Sequence, residues 1–159
     1  MADVFYSLLA RLACAVLVLA PTAAMAAAAP DQNAALIERG RYLAVAGDCA
    51  ACHTEAGKAP FSGGHAIASP LGTIYATNIT PSPTAGIGAY TFEQFSRALR
   101  AGVRADGSHL YPAMPYTAYA RLTDEDTAAL YAYFMHGVAA DDTQPTRTAL
   151  PFPFNVRAS

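Results

Sequence analysis

The first segment with a helical pattern of apolar positions begins at Asp31 or Asn33 and ends at Gly47. Apolar and small residues recur at i, i+4, i+7 and i+11, which places on one face Leu36, Gly40, Leu43 and Gly47. Glycine lowers helix propensity, so two glycines on this face need a compensating role. We expect them to allow another helix to approach closely.

Two further segments combine a helix-start signal with an apolar stripe. The first is predicted from Phe92 to about Ala101, because Thr91 and Gln94 have the spacing of a capping box. The second is predicted over residues 124–136, with Thr123 as its N-cap. Three acidic residues in its first turn favour the positive end of the helix dipole. The sequence therefore predicts three main helices.

The N-terminal apolar run has the pattern of a secretory signal. Residues 12–20 are apolar but too few to cross a bilayer comfortably. Pro21 ends the run, and Ala24-Met25-Ala26 is an A-x-A cleavage signal. We expect residues 1–28 to be a cleaved signal peptide and residues 29–159 to form a single domain in the periplasm. An uncleaved anchor helix is the alternative.

Composition limits the class of partner. Without Asp3 and Arg11 of the leader, nine basic and eleven acidic residues remain, so the net charge stays at −2. This balance excludes a strongly cationic nucleic-acid binder. The domain is large enough for one hydrophobic core.

The main chemical motif is Cys49-Ala50-Ala51-Cys52-His53, which has the C-x-x-C-H spacing of c-type haem attachment. Cys49 and Cys52 can each add to a vinyl group of one porphyrin, and His53 then lies under the iron as its proximal ligand. The alternatives are a redox-active C-x-x-C and half of a zinc site. A thioredoxin-like motif should accompany a βαβ pattern, and a zinc site needs a second ligand pair; the sequence shows neither.

The proximal histidine needs a hydrogen-bond acceptor for its outer nitrogen, and we expect a backbone carbonyl near Pro60. Residues 54–90 show no regular period and contain four prolines. A loop of this length is unusual in a compact domain. Wrapping a haem would explain it.

The second axial position of the iron has several candidate ligands, which are Met114, Met135, His65, His109 and His136. Met114 is favoured because Pro112 and Pro115 stiffen its loop. A rigid loop can hold a weak thioether against the iron, and a sulfur ligand raises the redox potential. His109 is the main rival, and it would give a bis-histidine site of lower potential.

Five segments of the sequence resemble the first haem domain of one family, namely residues 40–43, 46–54, 72–81, 86–88 and 110–116. That family is the multi-haem, class I cytochrome c subunit of membrane-bound alcohol, aldehyde and gluconate dehydrogenases. Related subunits serve periplasmic molybdenum hydroxylases. Members usually carry three C-x-x-C-H domains and a C-terminal anchor, whereas this sequence contains one motif.

The resemblance implies an all-α class I cytochrome c fold, with three main helices and long loops around one covalent haem c. It also implies that Cys49 and Cys52 bind haem and that His53 and Met114 ligate its iron. Members accept electrons from a dehydrogenase and pass them toward quinone or a terminal oxidase. We therefore expect an electron-transfer protein, not an enzyme, either free in the periplasm or membrane-associated through a partner subunit.

Two other functions compete with that of an electron carrier. A labile Met114 would allow a haem-based sensor or a peroxidase, and a passive structural subunit of a dehydrogenase complex is the third interpretation. Arg97, Arg100 and Arg104 lie at i, i+3 and i+7, away from the apolar stripe of their helix. They either dock an acidic partner or form an ordinary solvated face.

Overall fold

The computed structural model describes residues 31–153, so the expected leader, residues 1–28, lies outside the described part of the chain. Its elements in chain order are α1 (Gln32–Ala46), α2 (Cys49–His53), β1 (Ala66–Ser69), β2 (Gly72–Tyr75), α3 (Phe92–Ala101), α4 (Tyr116–Tyr119), α5 (Asp124–Ala132) and a π-helical turn (Tyr133–Gly137). No helix within residues 31–153 is long and apolar enough to cross a membrane.

The three predicted helices are present, and the N-caps predicted for the second and third of them act as expected. The Asp31 carboxylate accepts a hydrogen bond from the Asn33 amide at 3.0 Å at the start of α1. Thr91 and Gln94 form the complete capping box of α3. Thr123 caps α5 by accepting from the Asp126 amide at 3.1 Å. These side chains satisfy amides that have no partner inside the helix.

The predicted third helix changes geometry near its end. Regular α-helix stops at Ala132, and the chain continues as a π-helical turn through Gly137. α1 packs against both α5 and this turn. A Cβ at Gly40 would overlap the carbonyl oxygen of Ala129, so the glycine permits the close approach that the sequence predicted.

Residues 54–90, predicted as irregular, contain a small antiparallel hairpin. β1 and β2 pair with Ala66 opposite Tyr75 and Ser69 opposite Gly72. The expectation of an all-α fold is therefore wrong in this detail. The strands are only four residues long, too short for an alternating pattern to stand out, although β-branched Ile67, Thr73 and Ile74 suit strands.

The hydrophobic core lies between the three main helices and the long loop. Its buried apolar residues are Ala44, Phe61, Ile87, Phe95, Leu99, Leu130 and Phe134. The rings of Phe61 and Phe134 meet edge to face, with their centroids 5.3 Å apart. This aromatic contact joins the loop after α2 to the π-helical turn, and Phe134 also lines a cavity.

Candidate functional site

A cavity of about 520 Å³ contains the C-x-x-C-H motif in its lining. This volume lies in the range of about 300–1,000 Å³ that is typical of cofactor and ligand sites. The apolar part of the wall comes mainly from the loop before α3, from α3 and from the π-helical turn, and includes Ile79, Ile87, Phe95, Leu99 and Phe134. A flat apolar group inserted here would complete the hydrophobic core.

The two cysteines lie on the single turn of α2, which begins after a left-handed residue, Asp48 (φ 54°). Cys49 is half-buried and Cys52 is exposed, and both are free thiols that line the cavity. Burial raises the pKa of the Cys49 thiol to about 11. Cys49 is therefore a neutral thiol at the cavity wall, and Cys52 is the more solvent-accessible of the two.

His53, at the end of α2, is held in one orientation by a backbone carbonyl. Its Nδ1 lies 2.7 Å from the carbonyl oxygen of Thr77. A carbonyl only accepts, so Nδ1 carries the proton and Nε2 keeps its lone pair. Burial lowers the pKa of His53, although the bond to Thr77 opposes this shift. The ring is a neutral donor of the kind that iron binds.

The expected acceptor near Pro60 is therefore wrong. The chain turns back before Gly63, whose amide donates to the His53 backbone oxygen at 2.8 Å. A Cβ at Gly63 would lie 2.6 Å from the backbone carbonyl carbon of Thr77, which is too close for a side chain to fit. Gly63 thus lets the segment after β2 pack directly against α2, and the Thr77 carbonyl reaches the ring. The Gly63-Gly64 pair was the signal of this close packing in the sequence.

Met114 lines the same cavity from a separate segment. Its loop begins at Gly102, which ends α3 in a left-handed conformation (φ 68°) and accepts a hydrogen bond from the Leu110 amide at 2.7 Å. The Met114 carbonyl accepts from the Tyr116 amide at 2.9 Å, which starts α4. Hydrogen bonds on both sides, together with Pro112 and Pro115, restrict the position of the Met114 backbone.

The other candidate ligands lie elsewhere. His65, His109 and His136 are exposed, and none of the three is part of the cavity lining. Met135 is half-buried and packs against the hydrophobic core, also outside the cavity lining. Of the five candidates for the second axial position, the structure therefore brings only Met114 to the cavity that contains His53.

A tyrosine links the methionine loop to the haem motif. The Tyr119 hydroxyl, on α4, donates to the carbonyl oxygen of Gly47 at 2.9 Å. Gly47 ends α1 immediately before the C-x-x-C-H segment, so this bond ties the two halves of the site together. Sequence reasoning missed both Tyr119 and Thr77, because their roles depend on contacts between distant segments.

No role was predicted from the sequence for the chain after the π-helical turn. Residues 144–148 line the cavity, and this part of the chain is fixed by buried polar side chains. The Asn78 side-chain amide donates to the carbonyl oxygens of Asp141 and Thr143 at 2.8 and 3.2 Å. The Asn78 oxygen accepts from the Thr80 amide and hydroxyl at 2.8 and 2.7 Å. These bonds fix one wall of the cavity without regular secondary structure.

The lining residues fit a covalently attached haem. Two thiols lie on one helical turn, a neutral imidazole follows them, a thioether comes from another segment, and apolar side chains form the walls. This combination of groups is characteristic of c-type haem attachment. The groups that could attach and ligate a haem therefore lie in the same cavity as the apolar side chains that could pack on its porphyrin.

Comparison with known proteins also indicates a c-type haem domain. The family model described as cytochrome c matches residues 37–137. The chain is 64% identical over 124 residues to the fructose dehydrogenase cytochrome subunit of Gluconobacter japonicus, an alignment covering 77% of this chain and 26% of that subunit. It is 54% identical over 137 residues to the gluconate 2-dehydrogenase cytochrome c subunit of Pantoea cypripedii, covering 86% of this chain and 31% of that subunit.

A third relative is the cytochrome c subunit of the quinone alcohol dehydrogenase of Gluconacetobacter polyoxogenes, 54% identical over 131 residues, covering 80% of this chain and 27% of that subunit. The chain thus spans between about a quarter and a third of the length of these relatives. The predicted resemblance is confirmed. The chain belongs to the cytochrome c family.

Proposed function

We propose that the domain binds one haem c through Cys49 and Cys52, with His53 and Met114 as axial ligands of the iron. In this role it carries single electrons from a partner dehydrogenase toward quinone or a terminal oxidase. The observation that carries the proposal is the shared lining of one apolar cavity by both cysteines, the neutral imidazole and the methionine. When bound, the haem supplies the one-electron chemistry.

The protein groups around the cavity have separate tasks. Cys49 and Cys52 would hold the haem through thioether bonds, so that the cofactor would stay attached during electron transfer. The bond from His53 to the Thr77 carbonyl orients the imidazole and increases its basicity toward the metal. Met114 would supply a sulfur ligand to the iron, which would favour the reduced state. With both His53 and Met114 bound to it, the iron would have no position left for a substrate.

The proposed partner follows from the relatives, which are cytochrome c subunits of fructose, gluconate and alcohol dehydrogenases. We infer that this domain accepts electrons from a dehydrogenase of that kind in the periplasm. One C-x-x-C-H motif occurs in the sequence, which supports a single haem in this chain. Association with a membrane would come through a partner subunit.

The first experiment tests the haem and its ligands. The full chain, exported in a bacterium that has haem-attachment machinery, should retain a haem stain on a denaturing gel. The oxidised protein should show the far-red absorption band of sulfur bound to ferric iron. Met114→Ala should keep the stain, lose the band and lower the potential by about 0.1 V or more, because axial ligands set haem potentials over about 0.8 V.

Met135→Ala is the matched control, because Met135 is half-buried against the core but does not line the cavity. It should keep both the band and the potential. If Met114→Ala kept them instead, the assignment of the sulfur ligand would be wrong. A purified fructose, gluconate or alcohol dehydrogenase catalytic subunit with its substrate should reduce the wild-type protein, and failure with all three would count against this partner class.

A further inference from the structure

The chain after the π-helical turn crosses the cavity as a strap, defined here as residues 139–150. Asn78 holds its first part through the carbonyls of Asp141 and Thr143. Its last part is fixed at β2, where the Tyr75 amide donates to the Thr148 hydroxyl at 2.8 Å. Leu150, the last residue of the strap, is buried. The strap is therefore anchored on both sides of the residues that face the cavity.

Between these anchors the strap brings Arg147 to the cavity lining. A second arginine, Arg104, reaches the lining from the loop between α3 and Met114. The Arg104 backbone is fixed by a tight turn, in which its amide donates to the Ser108 carbonyl at 2.9 Å and its carbonyl accepts from Gly107 at 3.0 Å. Among residues 31–153, these are the only lysine or arginine residues that line the cavity.

Neither guanidinium forms a salt bridge with a carboxylate in the described part of the chain. The three ion pairs found there use Arg39, Arg41 and Arg100. The other charged or titratable lining groups are Asp48, Cys49, Cys52, His53, Tyr75, Tyr90, Asp106, Tyr111 and Tyr119. Asp48 directly precedes the haem motif, and the Asp106 carboxylate accepts from the Ser108 amide and hydroxyl at 2.9 and 2.6 Å.

We propose that Arg104 and Arg147 bind the two propionate carboxylates of the haem, so that the strap closes on the cofactor itself. This inference rests on the proposed function. Haem is an apolar disc with two carboxylates on one edge, and the cavity is an apolar slot with two arginines from separate segments. Arginine presents a planar fork of N–H donors that matches a carboxylate.

Pairing the propionates with two arginines has a consequence for electron transfer. A positive charge beside the macrocycle in a low-dielectric site favours the reduced iron, which carries one positive charge fewer. Losing one guanidinium leaves its propionate uncompensated and so favours the oxidised state. Arg104 and Arg147 thus act as positioning residues that also raise the potential.

The test uses the full haem-loaded chain and measures the midpoint potential at pH 7 by spectroelectrochemical titration. Arg104→Gln and Arg147→Gln should each lower the potential, and the double variant should lower it further. Arg104→Lys and Arg147→Lys keep the charge and should retain most of the wild-type value. The haem stain and the far-red sulfur–iron band, recorded for each variant, separate this result from failure of haem attachment or of Met114 ligation.

One control variant distinguishes pairing with propionate from a general effect of positive charge. Arg97→Gln removes an exposed positive charge of α3 that does not line the cavity, and it should leave the potential unchanged. Wild-type potentials in both arginine-to-glutamine variants, with stain and band intact, would overturn the inference, as would an equal shift in Arg97→Gln.

Discussion

Replacing Gly40 by alanine tests the helix contact that supports the haem motif. Gly40 lies on α1 opposite α5, and a Cβ there would overlap the carbonyl oxygen of Ala129 and lie 2.6 Å from Cβ of Tyr133. A backbone oxygen cannot rotate away as a side chain can. The two helices would have to separate, and the turn that presents Cys49 directly follows the end of α1.

The expected free-energy change is the difference between two opposing effects. Overpacking a core costs about 1–3 kcal/mol, and contact with backbone places Gly40→Ala at the upper end. Alanine regains about 1 kcal/mol of helix propensity over glycine. The variant should therefore lose about 2 kcal/mol of unfolding free energy. For a domain of this size, that loss corresponds to a melting temperature lower by about 8 °C.

Thermal unfolding of the haem-loaded protein, followed by far-ultraviolet circular dichroism, measures this change. Ala35→Gly, at an exposed position of α1, is the control, because it should lose helix propensity alone, about 1 kcal/mol. If Gly40 were only an unfavourable helix residue, Gly40→Ala would raise the melting temperature by about as much as Ala35→Gly lowers it. An unchanged or higher melting temperature for Gly40→Ala would refute the close-packing argument.

Three further predictions concern the site. Replacing Cys49 and Cys52 together by alanine should abolish covalent haem and leave a poorly folded apoprotein, whereas a cooperative thermal transition in that variant would contradict a core built around the porphyrin. Tyr119→Phe removes the bond to Gly47, so exogenous imidazole should displace Met114 more readily than in a Tyr116→Phe control, as measured by loss of the far-red band. Asn78→Ala should lower the unfolding free energy by about 3 kcal/mol, because the buried Thr80 amide loses its acceptor and the Thr143 carbonyl loses its donor. Chemical denaturation with exposed Asn33→Ala as control measures this loss, and a loss under about 1 kcal/mol would contradict the prediction.

The features predicted correctly from the sequence were those specified by neighbouring residues. The capping residues Thr91 and Thr123 act within three positions of themselves, so their pattern is visible in a short window. The C-x-x-C-H motif is equally local, and the cytochrome c family that it indicated is confirmed, whereas the haem-binding roles of its residues stay a prediction. The role of Gly40 was predictable because glycine weakens a helix, and the close approach of a second helix offsets that cost.

The features that were missed depend on contacts across the chain. The Thr77 carbonyl reaches His53 over 24 residues, and the Tyr119 hydroxyl reaches Gly47 over 72. Carbonyls carry no residue-specific signal, so Pro60 was as reasonable an expectation as Thr77 before the path of the loop was known. The β1–β2 hairpin was missed for the related reason that four-residue strands show too little periodicity.

The arrangement of the site explains why fold and cofactor should depend on each other. α1, α3 and α5 form one helical unit, but the opposite wall of the cavity is irregular chain held by a few side-chain bonds. Asn78 and Thr80 are 3% and 0% exposed, and burying such polar groups is favourable only while their hydrogen bonds are satisfied. The half-buried apolar side chains of the lining, among them Ile67, Ile74 and Ile79, would gain burial if an apolar group filled the cavity. A tethered haem supplies that group at the point where the irregular wall, the strap and the helices meet, so one covalent attachment can stabilise all three.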